Sequence, residues 1–145
     1  MKALITGIEG FVGRHLARHL LSEGCEVWGT SERSRLADDW PADVKVGTHR
    51  CDVTNASDVE TVMSLVQPDE IYHLAGVSHV PASWEEPEHT LRVNLLGTLH
   101  VLDAARAFAP KARVLVVSTG DVYGSAGADS APDEDSLTQP ASPYA

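Results

Sequence analysis

Ala3-Leu4-Ile5-Thr6-Gly7-Ile8-Glu9-Gly10-Phe11-Val12-Gly13 runs a short apolar strand into glycines spaced three and three apart, then into an amphipathic segment. A dinucleotide fold needs glycine in three places: where the chain turns sharply after its first strand, where backbone approaches a pyrophosphate, and where helix meets sheet. Gly7, Gly10 and Gly13 stand at those three places. The start of the following helix then aims unpaired N–H groups at the phosphates. A turn followed by close packing, with no ligand, is the competing reading. The placement between a strand and an amphipathic helix argues against it.

Outward from this loop, strands and helices alternate, the pattern of a parallel sheet covered on both faces. Strands are expected at 2–6, 26–30, 44–51 (weak), 71–75 and 113–118, the last a Val-Leu-Val-Val run suited to burial on both sides. A helix over 10–23 carries Val12, Leu16 and Leu20 on one stripe and stops at Gly24. A second, over 57–66, is capped by Asn55 or Ser57 and closed by Pro68. After a loop with Pro81 and Pro87, a long helix over 88–108 places Leu91, Leu95, Leu99 and Leu102 on a buried stripe. Residues 119–145, rich in Gly, Ser, Pro and acid, read as loop. The fold class is α/β: a Rossmann-type doubly wound parallel sheet of about five strands.

The 145 residues suffice for one domain. A net charge of −10, from 21 acidic against 11 basic side chains, argues against nucleic acid and anionic membrane as partners. Cys25 and Cys51 show no metal-ligand spacing and are expected to be reduced core thiols. No apolar run reaches the roughly 18 residues of a membrane span, and Met1-Lys2 leads into a strand without a signal-peptide pattern. A cytoplasmic location is expected.

Two further stretches carry chemistry. Ser118-Thr119-Gly120-Asp121-Val122-Tyr123-Gly124 follows the fifth strand, and Ser142-Pro143-Tyr144-Ala145 looks like the first half of a Tyr-x-x-x-Lys pair. With the Gly-x-x-Gly-x-x-Gly spacing, Thr6 and Phe11-Val12, they resemble the extended short-chain dehydrogenase/reductases, the family of nucleotide-sugar epimerases, dehydratases and reductases. Lys2-Ala3-Leu4-Ile5-Thr6-Gly7, Trp28-Gly29-Thr30-Ser31 and Ser83-Trp84 look closest to GDP-4-keto-6-deoxymannose reductases and GDP-mannose 4,6-dehydratases.

The resemblance implies a partial NAD(P)-binding domain over 1–145, with a lysine expected three residues beyond Ala145 and a substrate domain after it. It implies a nucleotide-sugar substrate and a homodimer for the full-length parent. Tyr144 would move the proton of a sugar hydroxyl, which a tyrosine does near neutral pH only if its ordinary pKa of ~10 is lowered. Thr119, 25 residues earlier, would orient the same oxygen. Asp121 stands where dehydratases carry a carboxylate, usually Glu. The cofactor would be held by Gly7, Gly10, Phe11, Val12, Gly13, Asp52, Val53, Leu74, Ala75 and Gly76. Ser31, where NAD-using relatives hold Asp, with Arg33 and Arg35 after it, favours NADP, while Glu32 leaves NAD open. Asp52 is equally suited to capping a helix. Ser78 matches a substrate-side serine, and Asn94 an asparagine that holds active-site backbone. His79 reads as a bystander and Trp84 as a packing residue. The leading function is a nucleotide-sugar reductase, with a 4,6-dehydratase or epimerase as alternative. A non-catalytic dinucleotide sensor is the alternative of another class, disfavoured by retention of Thr119 and Tyr144.

Overall fold

A computed structural model of the chain describes residues 1–33, 36, 40–124 and 131–145. Its elements are β1 (Lys2–Thr6), α1 (Phe11–Ser22), β2 (Glu26–Ser31), β3 (Gly47–Arg50), α2 (Ala56–Val66), β4 (Glu70–His73), α3 (Val80–Glu85), α4 (Pro87–Leu91), α5 (Gly97–Phe108) and β5 (Arg113–Val116). A π-helical turn at Arg92–Leu96 joins α4 to α5, and a 3₁₀ turn at Gly120–Tyr123 follows β5.

The five strands pair in the order β3-β2-β1-β4-β5, all parallel, with β1 at the centre. Lys2↔Glu26 and Ala3↔Glu70 set the register of β1 against its two neighbours. The order reverses between β1 and β4, so the loops leaving their C-terminal ends part there and leave a crevice, the usual ligand position in such sheets. This is a Rossmann-type doubly wound sheet.

Alternation along β1 sends its side chains to two cores. Ala3 and Ile5 join Ile8, Ala17, Leu20, Cys25 and Val27 under α1. Leu4 joins Ile71, Val59, Met63, Val101 and Ala104 under α2 and α5. Each fully buried Leu or Ile side chain contributes roughly 1.5–3 kcal/mol. Asn55 caps α2, its side-chain oxygen accepting the Ser57 N–H at 3.0 Å. Cys25 and Cys51 are both buried and unpaired.

Several expectations change. Only Leu20 of the supposed α1 stripe is deeply buried; the inner face is Gly13, Ala17 and Leu20, and Val12 is 58% exposed. On 87–108 the buried face is Val93, Gly97, Val101, Ala104 and Ala105, whereas Leu91, Leu95, Leu99 and Leu102 are 44–62% exposed. Small residues win the inner face because α5 lies close against α2 and the loop after β3: a Cβ on Gly97 would stand 2.9 Å from Val53 Cγ2. The loop expected around Pro81 holds the short α3, with Pro81 in its first turn, where a missing N–H costs nothing. β5 stands at the edge of the described sheet, and Leu115, Val116 and, just after the strand, Val117 lie substantially exposed. Trp84 is also exposed.

Candidate functional site

Two cavities lie along the C-terminal ends of the strands and share Gly7, Ala75, Gly76 and Val77 as a common wall. The smaller, about 210 Å³, reaches toward the ends of β2 and β3 past Ser31, Glu32, Cys51, Val53 and His89. The larger, about 750 Å³, opens toward β5 and includes Ser78, Asn94, Thr119 and Tyr144.

The glycine loop forms the floor. Gly7 has φ +66°, and a Cβ there would lie 2.9 Å from Ala75 N and Cα. A Cβ on Gly13 would lie 2.6 Å from Ile8 O and 2.8 Å from Gly7 O. Gly10 caps α1 without a side-chain hydrogen bond. The first-turn N–H groups therefore face the larger cavity, which Gly10, Phe11, Val12 and Gly13 all line. Phe11, 80% exposed, stands over this helix start with its ring edge-on to His15.

At the end of β2 the Ser31 hydroxyl donates to the Glu9 carboxylate and accepts the Arg33 N–H at 3.1 Å. Ser31 and Glu32 border the smaller cavity, while Arg33 is exposed and outside its lining. Arg35 lies outside the described residues. Val53 is buried and lines this cavity. Asp52 does not. Its Oδ1 accepts both the N–H and the hydroxyl of Thr54 at 2.8 Å, and its own N–H donates to the Asp58 carboxylate at 3.1 Å. Asp52 thus serves the turn into α2. Burial, reinforced by the charges of Asp58 and Asp52, pushes the Cys51 thiol up to about 12.

The wall between the cavities is tied at both ends. Thr6 Oγ1 accepts the N–H groups of Leu74 at 3.2 Å and Ala75 at 3.1 Å. The Asn94 carboxamide grips Val77 twice, accepting its N–H at 2.8 Å and donating to its carbonyl at 2.9 Å. Asn94 sits in the π-helical turn, a distortion frequent at functional sites. Ser78 is exposed at the rim. His79 accepts the Ala82 N–H at 3.3 Å and caps α3 outside both cavities.

Thr119 and Tyr144 line the same cavity, both half-buried. Thr119 Oγ1 accepts the Asp121 N–H at 3.2 Å, which uses a lone pair and leaves the hydroxyl proton to be donated elsewhere. The 3₁₀ turn brings the two together. Gln139 N–H donates to Val122 O at 2.8 Å, and Gly124, at φ +67°, lets the returning chain pass where a Cβ would meet Gln139 O at 2.3 Å. Ser142 Oγ then accepts the Ala145 N–H at 3.1 Å and turns Tyr144 into the cavity. Asp121 is exposed and does not line it.

The described residues expected to hold cofactor or substrate or to act in catalysis thus converge on one cleft, apart from Asp52, Arg33 and Asp121. Cys51, Val77, His89 and Thr98 line it without having been foreseen. Thr98 was legible: a hydroxyl one turn after Asn94 faces the same side of a helix. Among the described residues no cluster suits a metal ion, and no helix is long and apolar enough to cross a membrane.

A doubly wound sheet with Gly7, Gly10 and Gly13 under its crevice and Thr119 and Tyr144 in one cavity defines a short-chain dehydrogenase/reductase of the extended type. The model of the GDP-mannose 4,6 dehydratase family matches residues 4–145, and the chain belongs to that family. It is 39% identical over 134 residues to a GDP-mannose 4,6-dehydratase of Vibrio cholerae, covering 84% of this chain and 36% of that protein. It is 32% identical over 145 residues to a GDP-6-deoxy-D-mannose reductase of Pseudomonas aeruginosa, covering 99% of this chain and 42% of the relative. Among solved structures, a UDP-glucose 4-epimerase of Thermus thermophilus in complex with NAD superposes with a TM-score of 0.90 at 30% identity, over 99% of this chain and 46% of that one. The chain therefore spans less than half the length of these relatives.

Proposed function

We propose that the chain is the cofactor-binding part of an NADP-dependent enzyme that oxidises or reduces a carbon of a nucleotide sugar. The observation that carries this reading is the convergence of Thr119 and Tyr144 on the cavity floored by the glycine loop. The relatives' names supply the substrate class. The dinucleotide, when bound, would accept or return a hydride.

The residues present fit such a group. Gly7 and Gly13 let the loop, the helix start and the Leu74–Ala75 backbone pack where any Cβ would clash, and the uncapped start of α1 offers N–H donors to a pyrophosphate. The smaller cavity, walled by Val53 and Cys51, has the apolar character an adenine needs. Ser31 in place of an acid, with Arg33 beside it, supports NADP. Glu9 and Glu32 nearby are what keep NAD as the second reading.

Tyr144 would give or take the proton of the reacting sugar oxygen, and Thr119, with its proton still to donate, would hold that oxygen in place. Between reductase and dehydratase, the outward position of Asp121 supports reduction of a 4-keto sugar. Dehydration needs a carboxylate at the substrate to remove a carbon-bound proton. The prevalence of dehydratases among the relatives supports the second reading. In the enzyme containing this chain, Tyr144→Phe should abolish most turnover with NADPH affinity nearly unchanged. Full activity would reject the tyrosine. Asp121→Asn should be mild in a reductase and severe in a dehydratase, and product analysis with GDP-mannose against a 4-keto sugar nucleotide separates them.

A further inference from the structure

His73 ends β4, directly beside Thr6 at the end of β1, where the strand order reverses. It is buried, and both of its ring nitrogens are within hydrogen-bond distance of threonine hydroxyls: Nδ1 lies 2.7 Å from Thr6 Oγ1 and Nε2 lies 3.1 Å from Thr98 Oγ1.

A hydroxyl has one proton and two acceptor sites. Thr6 Oγ1 already accepts two N–H groups, from Leu74 and Ala75, so its proton points to His73 and Nδ1 must be the bare nitrogen. At the other end, Thr98 donates its proton to the Asn94 carbonyl at 2.6 Å, so it can only accept from the ring, and Nε2 must carry hydrogen. The two ends independently select the same neutral tautomer. Burial also lowers the affinity of this imidazole for a second proton, in keeping with a ring that must accept at Nδ1.

We propose that His73 is a positioning residue of the cleft: its neutral Nε2–H imidazole fixes the orientation of the Thr6 hydroxyl, and so holds the Leu74–Ala75 backbone against the glycine loop. The chain of bonds runs from β1 through His73 to Thr98, on to the Asn94 carbonyl in the π-helical turn, and by the Asn94 side chain to Val77. The imidazole thus sets the hydroxyl that holds the Leu74–Ala75 end of the wall, and its far side meets the helix whose Asn94 holds the Val77 end. A larger apolar residue could fill the same space, but it would leave the Thr6 proton unplaced and release Thr6 to turn its hydroxyl away from the two amides. That the wall matters for a dinucleotide rests on the function proposed above.

The test has two parts. The first needs no cofactor: a long-range ¹⁵N–¹H spectrum of the imidazoles in the protein at neutral pH should show His73 as the Nε2–H tautomer. An Nδ1–H ring or an imidazolium would overturn the inference. The second compares two variants by NADPH fluorescence titration. Asparagine places a carbonyl oxygen near the position of Nδ1, so His73→Asn keeps an acceptor for Thr6, whereas His73→Leu keeps volume without one. His73→Leu should weaken NADPH binding about tenfold, the factor of one orienting hydrogen bond, and His73→Asn should recover most of it. Equal loss in both folded variants, or no loss in either, would overturn the positioning role. If the unaltered protein binds no dinucleotide, the proposed function falls, while the imidazole spectrum still decides the inference.

Discussion

Replacing Gly13 by alanine separates steric need from backbone strain. The new Cβ would stand 2.6 Å from Ile8 O and 2.8 Å from Gly7 O, against an ordinary contact of 3.4 Å or more. Both obstacles are main-chain atoms, so no side chain can rotate aside. Helix α1 must then back away from the glycine loop by about 0.6–0.8 Å, the shortfall in those two contacts. Overpacking of this kind costs about 1–3 kcal/mol, or roughly 4–12 °C of Tm for a chain of this size. Because the helix start that moves carries the N–H groups facing the larger cavity, NADPH affinity should fall at least tenfold as well. Gly24→Ala is the control. Gly24 has φ +77° and nothing within 4 Å of a Cβ, so alanine there incurs only the left-handed penalty of about 1–2 kcal/mol. Thermal melts and cofactor titration of the two variants should show both destabilised but only Gly13→Ala impaired in binding. Unchanged NADPH affinity in Gly13→Ala would refute the steric account of the loop.

Three other outcomes follow from the site. Ser31→Asp should shift the ratio of NADPH to NADH affinity toward NADH, read by parallel fluorescence titrations; an unchanged ratio would remove Ser31 as the selector. Asn94→Leu leaves the Val77 N–H and carbonyl without their partners and should cost on the order of 2–4 kcal/mol in urea unfolding, and a loss below about 0.5 kcal/mol would deny the clamp. The Cys51 thiol, raised in the folded chain from 9.0 to about 12, stays protonated there while the unfolded chain ionises above pH 9. Its contribution is thus complete below pH 9 and is lost as pH rises toward 12, by at most about 1.4 kcal/mol per pH unit. Cys51→Val should flatten the alkaline fall in stability relative to the unaltered protein; parallel slopes in both would refute the assignment.

The fold was legible because its strongest signals are local. A strand, three glycines and a helix specify the β1–α1 unit within a short stretch of chain, and the hydroxyl and tyrosine motifs each carry their own turn chemistry. What misled was the assumption that the largest apolar residues mark the inner face of a helix. On 87–108 the leucines face outward and the small residues face in, because close helix packing selects for lack of bulk. Asp52 shows a second limit. An acid before a helix has the same appearance whether it meets a ligand or a turn, and spacing does not show that Thr54 takes up Oδ1 of Asp52. The roles of Thr6, His73 and Thr98 depend on which protons point where, and spacing carries no such information.

The π-helical turn at Arg92–Leu96 makes residue number in this helix a quantity that cannot drift. Each residue of an α-helix advances its face by about 100°, so one extra residue in a turn offsets everything after it by that angle. Deleting a single residue there would let the helix run on without interruption. It would also swing Gly97, Val101 and Ala104 off the core, or Asn94 off Val77, since a regular helix cannot satisfy both. A change that improves the local hydrogen bonding of this segment should therefore be poorly tolerated, and length variation among functional homologues should fall in the connections between elements and spare this stretch.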